Sequence, residues 1–223
     1  FPKPDQPQET TIMDDIEKHL SSLEGIVDPA TIDELRSNAQ NVTTDELITY
    51  IEKLKFAIKF NSNAMELQQK KLKAWHAIKQ IKSHTSVLIN IHNGTQETFS
   101  LAQASWDTRQ AAREDLEIAP GEYLSYTLRS EPPKRDSNAK SAFRSTQIKH
   151  EFSYQGGEYA FHFSTALTLS PLYEAFSFDT QYVPKRELST RSAGKRKLIC
   201  LTDLDEQMDK PPYSYAVTIN LRT

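Results

Sequence analysis

Near Ser83 the chain changes its apolar repeat from helical to alternating, and that switch limits what it can fold into. Before it, apolar side chains recur at spacings of three and four; after it, apolar and polar residues alternate among aromatics, Gly, Pro and Asn. The two periods predict an α+β protein, with an N-terminal helical region followed by an antiparallel β-sandwich. The expected boundaries are a flexible lead-in at 1–11, a helical region at 12–84 and a β-sandwich domain at 85–223.

Within the helical region, Ile12, Ile16, Leu20 and Leu23 mark one face of a short helix ending near Gly25. Asp28-Pro29 reads as an N-cap followed by Pro at the first helical position, with Ile32 and Leu35 as its buried pair. Thr43 and Glu46 have the spacing of a capping box and predict a helix from Thr44 to about Lys82. Leu47, Ile51, Leu54, Ile58, Met65, Leu72 and Trp75 form its apolar seam, interrupted by Asn61 and Gln68. Either the two short helices cover that seam, or a second copy of the chain does.

The β-half opens with Val87, Ile89 and Ile91 alternating with Leu88, Asn90 and His92. Asn93-Gly94 then reads as a hairpin turn returning through Phe99 and Leu101. Pro120-Gly121 is a second turn, and Phe152–Tyr154, Gly156-Gly157 and Tyr159–Phe163 form the clearest hairpin. Tyr213, Tyr215, Val217, Ile219 and Leu221 share one face of a last strand. The polar stretches Glu131–Lys140 and Val183–Lys197 read as long surface loops.

Composition narrows the function classes. A net charge of −3 gives no general attraction to nucleic acid, so no nucleic-acid partner is expected. No apolar run is long enough for a lone membrane-spanning helix. Cys200 is the single cysteine, which excludes an internal disulfide. The chain starts Phe1-Pro2-Lys3-Pro4, and removal of a leader is the reading that would make it a secreted protein. Asn41-Val42-Thr43 and Asn93-Gly94-Thr95 match the glycosylation acceptor pattern. There is no GxSxG elbow, phosphate-cradling Gly-rich loop or HExxH helix, so an enzyme, a metal and a cofactor are not expected. His84, His92, His150 and His162 lie in or beside strands without ligand spacing. His150 and Glu151 are a poor acid/base pair, because adjacent strand residues point to opposite faces.

Binding signals are more local. Lys185, Arg186, Arg191, Lys195, Arg196 and Lys197 stand against one Glu187, a balance that suits anionic headgroups or a solvated loop. Tyr173, Phe176, Phe178 and Tyr182 cluster just before it. The segment Ile91–Leu101 resembles the early hairpin of the actinoporins and related cytolysins, with its Ile-x-Asn and Thr-aromatic-Ser elements. Pro120 with Leu124, Tyr126 and Arg129 resembles their next strand. Phe152-Ser153-Tyr154, Gly157 and Phe163-Ser164 resemble the hairpin leading into their headgroup site. The likeness covers residues 86–178; the aegerolysins, also lipid-binding sandwiches, are a second comparison on the same opening. Thr165-Ala166 stands where the actinoporins have Val-Pro, and Trp106 is the single Trp of the β-half.

The resemblance implies a membrane-binding, pore-forming cytolysin. Its sandwich would dock on phospholipid headgroups through Ser164, Tyr173 and Tyr182, with Arg186, Arg196 and Lys197 supplying charge. Amphipathic helices would then insert or form a homo-oligomer. The alternative is a non-lytic lectin-like or structural binding module with a helical dimerisation arm.

Overall fold

The computed structural model describes residues 17–38, 43–109, 111–112, 114–131, 146–172 and 181–223. The chain divides into two compact units, Phe1–Ser62 and Asn63–Thr223. The division falls inside the long helix Thr44–Gln80 and does not follow the change of secondary structure.

In the first unit, residues 17–21 are helical and Pro29–Asn38 forms a second short helix. Asp28 caps that helix, its Oδ1 accepting the Thr31 N–H at 3.1 Å. The long helix starts with a full capping box. The Glu46 Oε2 accepts the Thr43 N–H at 3.1 Å, and the Thr43 Oγ1 accepts the Glu46 N–H at 3.4 Å. Leu20, Leu23, Ile32, Leu35, Leu47 and Ile51 pack together, with Leu54 partly buried beside them. The short helices therefore cover the first part of the predicted seam. Ile12 and Ile16 lie outside the described residues.

In the second unit the helix is unbroken through Asn61–Asn63 but its buried face moves. Leu67, Trp75 and Ile78 are buried, while Met65 and Leu72, expected in the seam, are exposed. The sheet rather than another helix sets this face. Trp75 and Ile78 pack against Leu88 and Ala216, and Lys71 reaches Asp205 and Thr218.

Among the described residues nine strands follow in two sheets: β1 Thr85–Asn93, β2 Phe99–Ala104, β3 Glu117–Ile118, β4 Tyr123–Ser130, β5 Thr146–Gly156, β6 Tyr159–Leu172, β7 Gln181–Ser192, β8 Ile199–Gln207 and β9 Tyr215–Arg222. One sheet has the order β4-β1-β9-β8 and the other β3-β2-β5-β6-β7. The fold is α+β with a β-sandwich-like body. One pairing departs from the antiparallel expectation: β1 and β9 run parallel, Val87 opposite Tyr215 through Asn93 opposite Leu221.

The core between the sheets is built from the predicted alternations. Val87, Ile89 and Ile91 meet Tyr215, Val217, Ile219 and Leu221 from one sheet, and Phe152, Tyr154, Phe161 and Phe163 from the other. Phe152 is its aromatic hub, with ring centroids 4.8 Å from Phe163, 5.7 Å from Tyr154 and 5.8 Å from Trp106. β1 is buried along both faces rather than one, because the helix covers the side carrying Leu88, Asn90 and His92.

Two predicted turns hold and one does not. Glu122 donates its N–H to the Ala119 carbonyl across Pro120-Gly121, with Gly121 at φ 70°. Gly156 and Tyr159 pair across Gly157-Glu158, and Gly157 at φ 55° supplies the left-handed first position of a two-residue hairpin. Asn93-Gly94, by contrast, joins strands of different sheets. Neither residue has the positive φ that a type I′ turn needs. The Asn93 side chain is buried and closes the corner instead. Its Nδ2 donates to the carbonyls of Glu97, Ile118 and Ala119, and its Oδ1 accepts from the Thr95 N–H and hydroxyl. An amide engaged on every side is no glycan acceptor in this fold.

Val183–Lys197 is also not a loop as far as Ser192. It forms most of β7, whose Arg186, Leu188 and Thr190 turn inward while Lys185, Glu187, Ser189 and Arg191 face solvent. Apart from Glu131, Glu131–Lys140 lies outside the described residues, as does Asn41.

Truncating Phe152 to Ala is expected to destabilise the body by about 3–5 kcal/mol, the usual cost of removing a buried Phe. Chemical denaturation monitored by near-ultraviolet circular dichroism checks this.

Candidate docking surface

At one end of the sandwich, the loop joining β7 to β8 lies against the β5–β6 turn. Backbone hydrogen bonds fix it there: Ala193 N–H to the Ala160 carbonyl at 2.8 Å, and Arg196 N–H to the Glu158 carbonyl at 3.1 Å. Leu198, buried in the core, anchors the far side and donates its N–H to the Ser192 hydroxyl. Gly194 sits so close to the turn that a Cβ would run into the backbone of Glu158, Tyr159 and Ala160. The loop's backbone is therefore held by the body although its side chains face water.

Those side chains are Lys195, Arg196 and Lys197, all exposed. Arg196 lies over the Tyr159 ring at 5.5 Å and has Glu158 at 3.9 Å. Among the described residues no carboxylate pairs with Lys195 or Lys197. Gln155, Tyr159 and Lys195 help to line a concavity of about 310 Å³ between turn and loop. The arrangement presents three cations and one aromatic ring on a fixed frame, with the carboxylates of Glu158 and, against Gly157 of the same turn, Glu97 nearby. It suits an anionic surface better than a deep organic ligand.

The remaining predicted site residues lie elsewhere. Ser164 is half-buried in mid-β6, between Glu151 of β5 and Ser189 of β7. Tyr182 is at the opposite end of β7 from Ser192, about 33 Å along the strand at about 3.3 Å per residue. It packs against the core across from Pro171. Arg186 is turned inward, its side chain only 4% exposed. Its guanidinium donates to Gln207 Oε1 and to the Met208 and Tyr213 carbonyls, and lies 5.6 Å from the Tyr215 ring. Burial pulls its pKa down, with Asp209 and Tyr215 opposing. Arg186 thus clamps the segment before β9 and has no free face for a headgroup. Tyr173 lies outside the described residues. Arg196 and Lys197 are the two predicted residues that the fold brings together.

A second polar cluster was not read from the sequence. Lys71 projects from the long helix onto the sheet, 2.8 Å from Asp205 of β8 and 2.6 Å from the Thr218 hydroxyl of β9. The Thr218 hydroxyl also donates to Asp205. His92 of β1 is buried close by, its pKa lowered by burial and then by the charges of Arg222 and Lys71. Asn90 accepts from the Ser125 hydroxyl in the same layer. The signal available in the sequence was the spacing Leu67, Lys71, Trp75 and Ile78, which puts a lysine in an otherwise buried row.

His150 is buried on β5, beside the Ser130 hydroxyl, whereas Glu151 faces outward to Lys149. The two lie on opposite faces, as the strand period requires. Among the described residues no three His, Cys, Asp or Glu side chains converge to hold a metal. No known protein family and no curated protein matches the sequence.

Gly194→Ala is expected to cost about 1–3 kcal/mol, because backbone rather than a flexible side chain must yield. It should also raise amide exchange at Arg196. Lys195→Ala and Lys197→Ala should change stability by less than about 0.5 kcal/mol, as ordinary surface substitutions do. Denaturation and exchange measurements on the three variants separate these outcomes.

Proposed function

We propose that this is a secreted, membrane-binding protein of cytolysin type whose β-sandwich docks on anionic phospholipid through the β7–β8 loop. One observation carries the reading: Lys195, Arg196 and Lys197 stand exposed on a backbone pinned to the β5–β6 turn. Cations held on a fixed frame lose little freedom on binding, so their attraction to headgroups is not consumed in ordering a loop. Tyr159, amphipathic and already beside Arg196, suits the headgroup region.

The helices supply the second stage. No helix among the described residues is long and apolar enough to cross a membrane. The long helix would act by lying in the interface with an apolar stripe inward, or by joining copies of the chain in an oligomer. Met65 and Leu72, exposed and seven residues apart, favour a second reading as well: a non-lytic, lectin-like or structural binding module with a helical dimer arm.

Sedimentation with vesicles tests the proposal. The folded protein should pellet with phosphatidylserine-containing vesicles at about 0.1 M salt and far less at higher salt, where exposed charges are screened. Replacing Lys195, Arg196 and Lys197 together by Ala should weaken binding by about a hundredfold. No co-sedimentation with any lipid mixture would end the membrane reading, and glycan affinity in its place would establish the second. Leakage of trapped dye separates lysis from simple docking.

A further inference from the structure

We propose that helix segment 63–80 is an acid-sensitive latch on the outer face of sheet β4-β1-β9-β8, released when His92 acquires a charge. Two kinds of contact hold the segment. The apolar part is small: Trp75 and Ile78 against Leu88 and Ala216, with Ala74 and Met208 partly buried beside them. The rest is polar. Asn63 donates to the Gly121 carbonyl at 2.7 Å, Lys70 lies 5.3 Å over the Tyr123 ring, and Lys71 bridges Asp205 and Thr218. A helix seated on so mixed a layer depends on the charge balance inside it.

His92 sits in that layer, 4% exposed. Every element packed around it bears on its charge. The helix brings Lys71, whose partner Asp205 comes from β8. β9 places Asn220 in register beside it and contributes Arg222. On the other side β4 places Tyr123 in register, with Glu122 next in sequence. With His92 neutral, Lys71 and Asp205 balance each other. A proton on His92 adds a buried cation facing Lys71 and Arg222, with Asp205 already engaged.

The direction follows from linkage. Burial and both cations depress the folded-state pKa of His92 below the ordinary value of about 6.5. The stability gained by keeping it neutral is present above about pH 6.5 and is lost as pH falls through the depressed value. Two features make the loss local. The sandwich core lies on the opposite face of β1, so lifting the helix leaves Val87, Ile89 and Ile91 packed. The contacts surrendered are those of Asn63, Lys70, Lys71, Trp75 and Ile78, together with the burial of Leu67. Release would uncover Leu88 and Ala216 on the sheet and Trp75 and Ile78 on the helix, an apolar strip hidden at neutral pH.

Hydrogen exchange without lipid tests this independently of the membrane reading. Between about pH 7.5 and about pH 5.5, after correction for intrinsic rates, protection of residues 63–80 should fall several-fold and by no more than about tenfold, the most that a group of ordinary pKa about 6.5 can contribute at the lower pH. The β5–β6 hairpin should keep its protection. His92→Gln should flatten the response, and Lys71→Met, which removes the facing cation, should blunt it if the first variant does not fold. His150→Gln should leave it intact, because that residue lies in the body rather than under the helix. Equal loss in helix and hairpin, no loss at all, or a response that the folded His92→Gln or Lys71→Met variant retains in full would each overturn the latch.

Discussion

The second unit is organised by the burial of β1 on both faces. Its odd-numbered residues Val87, Ile89 and Ile91 enter the core between the sheets, and its even-numbered Leu88, Asn90 and His92 lie under the helix. A strand in this position cannot slip by one residue without driving Asn90 and His92 into the aromatic core. Hydrogen bonding on its two sides, antiparallel to β4 and parallel to β9, fixes the same register twice. Sheet, core and helix seat all take their positions from it.

The two faces of β1 differ in chemistry, and that difference separates rigidity from adaptability. Toward the core the contacts are aromatic and aliphatic, and Phe152 meets several rings at edge-on or tilted geometry. Such packing is intolerant of change. Toward the helix the contacts mix hydroxyl, amide, imidazole and a lysine–aspartate pair, so their strength varies with protonation and ionic environment. The loop at the end of the sandwich follows a third scheme, a fixed backbone carrying mobile charge. The protein thus places its charge-sensitive parts outside a core that does not depend on them.

Local signals in the sequence transferred well where a few neighbouring residues decide the outcome. Thr43 with Glu46, Asp28 with Pro29, and Gly157 after Gly156 all form the caps and turn their spacing predicts. Strand alternation located the core residues of β6 and β9. Failures arose where distant partners decide. Asn93-Gly94 has the composition of a hairpin turn, but three carbonyls from outside the turn claim the Asn93 amide. Arg186 belongs to a basic stretch by composition, yet the segment before β9 draws it inward. Met65 and Leu72 continue the heptad, but the sheet engages the face carrying Leu67, Lys71 and Trp75 instead. For the candidate surface, Arg196 and Lys197 were legible as charge. The pinning of their loop depends on Gly194 meeting a turn more than thirty residues earlier, which no local pattern reveals.

The parallel partnership of β1 and β9 has a consequence for how the chain is made. Ser86 donates its N–H to the hydroxyl of Ser214, 128 positions later in the sequence. During synthesis β1 emerges long before β9 exists, and a parallel neighbour cannot be supplied by any nearby hairpin. β4, about 35 residues on as Ser125 bonds Asn90, can pair with it early, but the other edge stays open. A ribosome adding roughly 5–20 residues per second leaves that edge waiting for roughly 6–26 seconds. The preceding helix, Leu88 and the unpaired edge of β1 are therefore the parts of a nascent chain that a chaperone would find exposed, and this edge closes only when β9 arrives.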